Sequence, residues 1–189
     1  MKTAENFDCD SQVKEPLNLD PYWMPFTGNR KFKQSPRMIE SAEGFFYRTS
    51  DGRKILDSFS GLWTSGVGHC HPKIVAAVQR QVAALDYAPA FQIGHPGAFQ
   101  LAEKLVAMAP EGFRHCFFTN SGSESVDTAL KIAIGYHHCI GNTSRNRIIG
   151  RERGYHGVCF GGTSVGGIPA NRAMFMNAAD QCRSSSQHT

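Results

Sequence analysis

The chain has 189 residues, of which 41% are hydrophobic and 19% are charged, and its formal net charge is +4. This composition is too apolar for a disordered chain, and the basic residues are too dispersed to indicate a nucleic-acid partner. No apolar run approaches the ~18 residues of a membrane span, and the amino-terminal 20 residues lack the apolar stretch of a secretory signal. The six cysteines have no regular spacing, which is typical of reduced thiols. We therefore expect a cytoplasmic protein.

The amino-terminal part has two different segments. Residues 1–16 are polar and irregular, and we expect a flexible arm. Residues 20–32 contain two prolines, which disfavour a helix. Tyr22, Trp23 and Phe26 in this second segment are costly to expose, so we expect it to pack on the body of the chain or on a partner subunit.

Local patterns predict the regular elements that follow. Ser50-Asp51-Gly52 lies between two β-rich runs and predicts a hairpin with strands near 44–48 and 53–57. Apolar residues at helical spacing predict three helices, the third of them deeply buried, at 72–85, 96–108 and 123–139. Short apolar strands are expected at 115–119 and 147–150. This order predicts an α/β fold with a parallel sheet, whereas residues 177–189 resemble no regular element and are interpreted as an aberrant tail.

The junction between the strand at 115–119 and the third helix has the composition of an anion site. Ser121 and Glu124 form an S-x-x-E capping box, and Gly122 lets another group approach the backbone. Free N–H groups at a helix start, with the hydroxyls of Ser121 and Ser123, can bind a phosphate. The alternative is an ordinary capped helix, since capping boxes are common.

Two further clusters have a functional and a plain interpretation. Tyr155 and His156 lie between glycines after the strand at 147–150, where an aromatic ring can stack on a flat ligand or simply belong to a turn. His69, Cys70 and His71 could suggest a metal site, but they precede a helix start and have no second ligand pair at the usual spacing. We therefore expect no metal.

Taken together, the segments resemble one enzyme family. LNLDPYWMPFTGNRKF, SDGRKILD, GLWTSGVGHCHPKI, YAPAFQIGHP, FFTNSGSESVDTALK and IIGRERGYHG occur in this order. The chain resembles, from about Leu17 to about Met174, the amino-terminal part of a class III aminotransferase that depends on pyridoxal 5′-phosphate. The resemblance is strongest to the ω-amino acid–pyruvate (β-alanine–pyruvate) branch. It implies transfer of an amino group from an ω-amino acid or amine to pyruvate.

The resemblance also implies a fold and a site. The fold is fold-type I, with an amino-terminal segment of the small domain at 17–60 and the first part of the cofactor-binding large domain at 61–176. The cofactor phosphate is expected on Ser121, Gly122 and Ser123, with Tyr155 stacked on the pyridine ring and His156 beside it. Phe26, Leu62 and Trp63 are expected to line the substrate pocket. Phe91 is expected to reach into the pocket of the partner subunit in a homodimer.

The resemblance places two catalytic groups beyond the matching region. A lysine that binds the cofactor covalently and an aspartate that keeps its ring nitrogen protonated are needed for transamination. Neither Lys131, the last lysine, nor Asp180 matches those positions. We therefore expect no catalytic residue here and no activity from this chain alone. The alternative is a non-enzymatic fragment, either a truncated gene product or an assembly partner of a full-length paralogue.

Overall fold

The structure, a computed structural model, describes residues 17–175. These residues form two compact units, and the division between the units falls after Ile93. The expected arm at 1–16 and the expected tail at 177–189 lie outside the described residues. The predicted domain boundary between residues 60 and 61 stays a prediction.

The first unit is built around a small antiparallel sheet. Its elements are α1 (Asn29–Gln34), β1 (Ile39–Glu43), β2 (Phe46–Thr49), β3 (Lys54–Leu56), the single turn α2 (Ser60–Trp63) and α3 (Pro72–Ala84). The strand order is β1-β2-β3, with both pairs antiparallel. The predicted hairpin is confirmed: Tyr47 faces Ile55, and Gly52 at the turn has a φ of 82°. β1 was not predicted, because its sequence IESAE has little β propensity without a neighbouring strand.

The segment 20–32 differs in part from expectation. The helix α1 begins within it, at Asn29, after the second of the two prolines. The Asn29 side chain holds the loop between Met24 and Asn29 together, because its Oδ1 accepts the N–H of Met24 at 2.9 Å. Trp23 and Phe26 are 86% and 88% exposed, so the first unit itself does not cover these two side chains. Packing on a partner subunit stays a prediction.

The second unit is helical in its described part. Its elements are α4 (Pro96–Met108), α5 (Gly122–Cys139), α6 (Phe160–Val165) and α7 (Pro169–Arg172). The three long helices predicted from apolar spacing are thus confirmed, α3 and α4 with proline in the first turn. No helix within residues 17–175 combines the length and the apolar character needed to cross a membrane.

Two expectations about the second unit are wrong. Residues 115–119 and 147–150 form no strand, because a strand needs a hydrogen-bonded neighbour and neither has one among the described residues. The helix α5 has no buried residue, and Ile132 is 56% exposed, although α6 contacts the side of α5 that carries Asp127. Within residues 17–175, Val165 is the one hydrophobic residue that is buried.

Candidate functional site

The start of α5 is capped by its own side chains. Ser121 Oγ accepts the N–H of Glu124 at 3.1 Å, which confirms the first half of the predicted capping box. The return bond differs, because Glu124 Oε2 accepts the N–H of Asn120, at 2.9 Å, rather than that of Ser121. The cap therefore fixes the turn from Asn120 to Glu124 and satisfies only part of the helix's free N–H groups.

The same turn leaves donors available. The N–H groups of Gly122 and Ser123 make no hydrogen bond to any described residue. A Cβ at Gly122 would meet nothing within 4 Å, so a ligand can approach the backbone there. The hydroxyls of Ser121 and Ser123 accept N–H groups, and each can still donate its own hydrogen. Two amides and two hydroxyls at the positive end of an 18-residue helix are suited to an anion such as a phosphate.

The structure brings the Tyr155-His156 loop to this helix start. Ser123 Oγ accepts the N–H of Val158 at 3.1 Å. Gly157 lies so close that an added Cβ would be 2.6 Å from Ser123 Cα. Tyr155 remains 55% exposed, which leaves ring surface for stacking. The cavity beside Tyr155 and His156 has a volume of about 10 Å³, so a pyridine ring could meet Tyr155 only from its exposed side.

Asp127 makes a connection beside the candidate site that the sequence did not predict. Its carboxylate accepts the N–H groups of Gly162 at 2.7 Å and Gly161 at 3.3 Å, in the first turn of α6. Asp127 follows Ser123 by four residues, so both side chains share one face of α5. That spacing was readable from the sequence, but the fold of the glycine-rich loop that meets this face was not.

The four residues predicted to line the substrate pocket all belong to the first unit. The structure leaves them exposed rather than enclosing them, with exposed fractions between 65% and 88%: Phe26, Leu62, Trp63 and Phe91. The residues predicted to bind the cofactor belong to the second unit: Ser121, Gly122, Ser123, Tyr155 and His156. The predicted substrate residues and the predicted cofactor residues thus lie in different units. That both groups form one active site stays a prediction.

Backbone strain marks several of these positions. Among the described residues, positive φ outside glycine occurs at Phe26, Ser60, Leu62, Trp63, Cys70, Gln92 and Arg153. Three of these are predicted substrate residues, and Gln92 directly follows the fourth, Phe91. Strained backbone of this kind persists where the surroundings fix it, and it is concentrated at functional sites. The role of Phe26, Leu62, Trp63 and Phe91 in binding substrate stays a prediction.

In the histidine-cysteine cluster at 69–71, His69 makes a structural contact. Within the described part of the chain, no group of three or more metal-ligating side chains comes together. His69 Nε2 lies 2.7 Å from Asp57 Oδ2 and so belongs to a hydrogen-bonded pair inside the first unit. Cys70, Cys116, Cys139 and Cys159 are free thiols.

Comparison with known proteins identifies the family. Residues 27–184 match the family described as Aminotransferase class-III. The omega-aminotransferase of Caulobacter vibrioides is 60% identical over 158 residues, which are 84% of this chain and 36% of that protein. The beta-alanine–pyruvate aminotransferase of Pseudomonas aeruginosa is 51% identical over 89% of this chain and 38% of its own length.

A solved structure agrees with the sequence relatives. The omega transaminase of Pseudomonas jessenii in complex with PMP matches with a TM-score of 0.81 and 30% identity, over 86% of this chain and 37% of that one. This likeness confirms the predicted α/β, fold-type I class, of which the described residues show helices and a small antiparallel sheet. The chain spans little more than a third of the length of these relatives. The chain belongs to the class-III aminotransferase family.

Proposed function

We propose that this chain provides the phosphate-binding and substrate-facing parts of an aminotransferase that depends on pyridoxal 5′-phosphate. The reaction would move an amino group from an ω-amino acid or amine to pyruvate, as the names of its relatives suggest. The observation that carries the proposal is the start of α5. Among the described residues, the amides of Gly122 and Ser123 have no hydrogen-bond partner there, and two serine hydroxyls and an exposed tyrosine ring lie beside them.

The described residues fit this cofactor. When bound, it withdraws electrons from the substrate carbon that carries the amino group. Ser121, Gly122 and Ser123 would hold its phosphate through amide and hydroxyl donors. Hydrogen bonds from such donors are strongest when the accepting oxygen is charged. Tyr155 would stack on its ring, and His156 would lie beside it. The bond from Val158 to Ser123 would keep the stacking loop close to the phosphate turn.

The substrate side would use the first unit. Phe26, Leu62 and Trp63 offer apolar surface to the carbon chain of the amine, and Phe91 would reach the pocket of a second subunit. We therefore propose a homodimer of the whole protein. We also propose a cytoplasmic location, because Cys70, Cys116, Cys139 and Cys159 are free thiols.

A second candidate is a non-enzymatic assembly partner. The observation that favours it is the number of large apolar side chains that the described residues leave exposed, among them Trp23, Trp63 and Phe91. Such surface is typical of a protein–protein interface. An assembly partner would bind a full-length relative and would have no need of the phosphate turn, so phosphate binding separates the two candidates.

The test measures how the chain binds pyridoxamine 5′-phosphate and pyridoxamine. Neither compound has an aldehyde, so surface lysines cannot capture them. Titration calorimetry on the full chain is expected to show tighter binding of the phosphorylated compound. The double variant Ser121→Ala, Ser123→Ala should weaken it at least tenfold, because each lost hydrogen bond to a charged oxygen costs about 1.5–3 kcal/mol. The remaining amides should keep some binding.

Controls separate this role from helix capping. Ser144→Ala lies outside the turn and should leave affinity unchanged. If the two serines only cap the helix, the double variant lowers the melting temperature equally with and without ligand and leaves affinity unaltered. Equal affinity for both compounds would also contradict the proposal.

A further inference from the structure

A buried polar cluster lies directly before the single turn α2. Asp57 Oδ2 accepts the N–H of Gly61 at 2.7 Å, and its Oδ1 accepts the N–H of Phe59 at 3.1 Å. His69 Nε2 lies 2.7 Å from the same Oδ2. The side chains of Asp57 and His69 are only 6% and 14% exposed. One carboxylate thus connects the backbone of the turn to a histidine twelve residues away.

The chemistry of this contact assigns the donor. Burial by itself raises the pKa of Asp57, but hydrogen bonds from His69, Gly61, Phe59 and Tyr47 outweigh it and hold the pKa below its ordinary value. The carboxylate is therefore ionised at neutral pH and can only accept, so His69 Nε2 must be the donor. Hydrogen bonds to an ionised acceptor are about twice as strong as neutral ones.

His69 is in turn fixed by the sheet. Its N–H donates to Gly44 O at 2.7 Å, and its own carbonyl accepts the N–H of Gly44 at 3.1 Å. The Tyr47 ring lies 4.5 Å from the imidazole, centroid to centroid. Both contacts come from the β1–β2 region, so the histidine has a rigid base.

The turn that Asp57 contacts is left-handed. Ser60, Gly61, Leu62 and Trp63 have φ values of 51°, 58°, 60° and 68°. Only glycine adopts this conformation without cost, and three of these four residues are not glycine. Local hydrogen bonds support the turn, among them those from Trp63 N–H to Phe59 O, from Ser65 N–H to Ser60 O and from Thr64 Oγ1 to Gly61 O. The amide at its centre, that of Gly61, donates to Asp57.

We propose that Asp57 and His69 are positioning residues that lock the Ser60–Trp63 turn in its left-handed form and thereby set the directions of Leu62 and Trp63. That these two side chains face substrate rests on the proposed function, whereas the lock itself does not. Asn cannot replace Asp57, because it offers one oxygen where the cluster uses two. Gln can replace His69, because its amide nitrogen also donates.

The test follows the Gly61 amide by hydrogen exchange in the full chain, together with the fluorescence anisotropy of Trp63. The chain has two tryptophans, so Trp23→Phe leaves Trp63 as the single reporter. Asp57→Asn and His69→Leu are expected to speed Gly61 exchange at least tenfold and to lower the anisotropy. His69→Gln should stay close to the parent. Asp51→Asn is the matched control, because Asp51 pairs with Arg53 in the β2–β3 hairpin and, among the described residues, makes no hydrogen bond to the Ser60–Trp63 turn.

Defined results would overturn the proposal. Unchanged Gly61 exchange in Asp57→Asn would do so, as would an equal acceleration in Asp51→Asn. The Asp57→Asn variant could lose the sheet altogether. Adding Ser60→Gly then removes the free-energy cost of a left-handed backbone at residue 60 and should restore the sheet, while hydrogen exchange at Gly61 stays fast. If the double variant does not regain the sheet, the proposed role of Asp57 and His69 is wrong. No cofactor enters the experiment, so its outcome is independent of phosphate binding.

Discussion

Gly157 decides whether the Tyr155-His156 loop can approach α5. Its φ is 108°, and an added Cβ would lie 2.6 Å from Ser123 Cα and 2.7 Å from Ser123 Oγ. Gly157→Ala therefore adds a steric overlap, worth about 1–3 kcal/mol, to the backbone cost of about 1–2 kcal/mol. We expect a clear drop in the free energy of unfolding, measured by urea denaturation, and loss of the Val158–Ser123 bond.

Gly141 provides the control for this residue. Its φ is 83°, but a Cβ there would meet nothing within 4 Å. Gly141→Ala should therefore show the backbone cost alone. Equal losses of unfolding free energy in the two variants would mean that the close approach at Gly157 contributes nothing.

At the scale of elements, Asp127 connects α5 to α6. The glycine-rich α6 has poor intrinsic helix propensity, and the Asp127 carboxylate satisfies two N–H groups of its first turn. Asp127→Ala should cost about 1–2 kcal/mol, as expected for the loss of a helix cap. Hydrogen exchange should accelerate at residues 160–165 and stay unchanged across the middle of α5.

The matched variant is Glu103→Ala. Glu103 is an exposed acid on α4 in the same unit. It should leave exchange at 160–165 unaffected. Equal protection of α6 in Asp127→Ala and the parent chain would show that the two bonds do not hold the helix.

At the scale of the whole molecule, uncovered apolar faces should drive association. Ile74, Val78 and Val82 follow one another along one side of α3, and each is at least 50% exposed. Full burial of one such side chain contributes about 1.5–3 kcal/mol. We expect the chain to self-associate at micromolar concentration, as measured by sedimentation velocity.

Two substitutions on α3 test which face of the helix drives self-association. Val78→Glu places a charge on the apolar side and should shift the distribution toward smaller species. Gln79→Glu adds the same charge on the neighbouring, polar side and should not. A parent chain that sediments as a monomer would refute the expectation, as would equal effects of the two variants.

The sequence by itself determined those features whose physical cause is local. Helical spacing and proline at the first turn predicted α3 and α4, and the capping box predicted the start of α5 at Ser121. Asp51-Gly52 predicted the hairpin, since only a few residues adopt the backbone of that turn. The ordered motifs also identified the family, which the match over residues 27–184 establishes.

The tertiary structure alone decided what depends on distant neighbours. Apolar character around α5 could not reveal that none of its residues is buried, and apolar residues at 115–119 could not form a strand without a partner. The bond from Val158 N–H to Ser123 Oγ spans 35 residues, and the pair of Asp57 and His69 closes a turn whose left-handed backbone has no sequence signal outside glycine. These contacts join segments that are separate along the chain, so only the folded backbone could place them together.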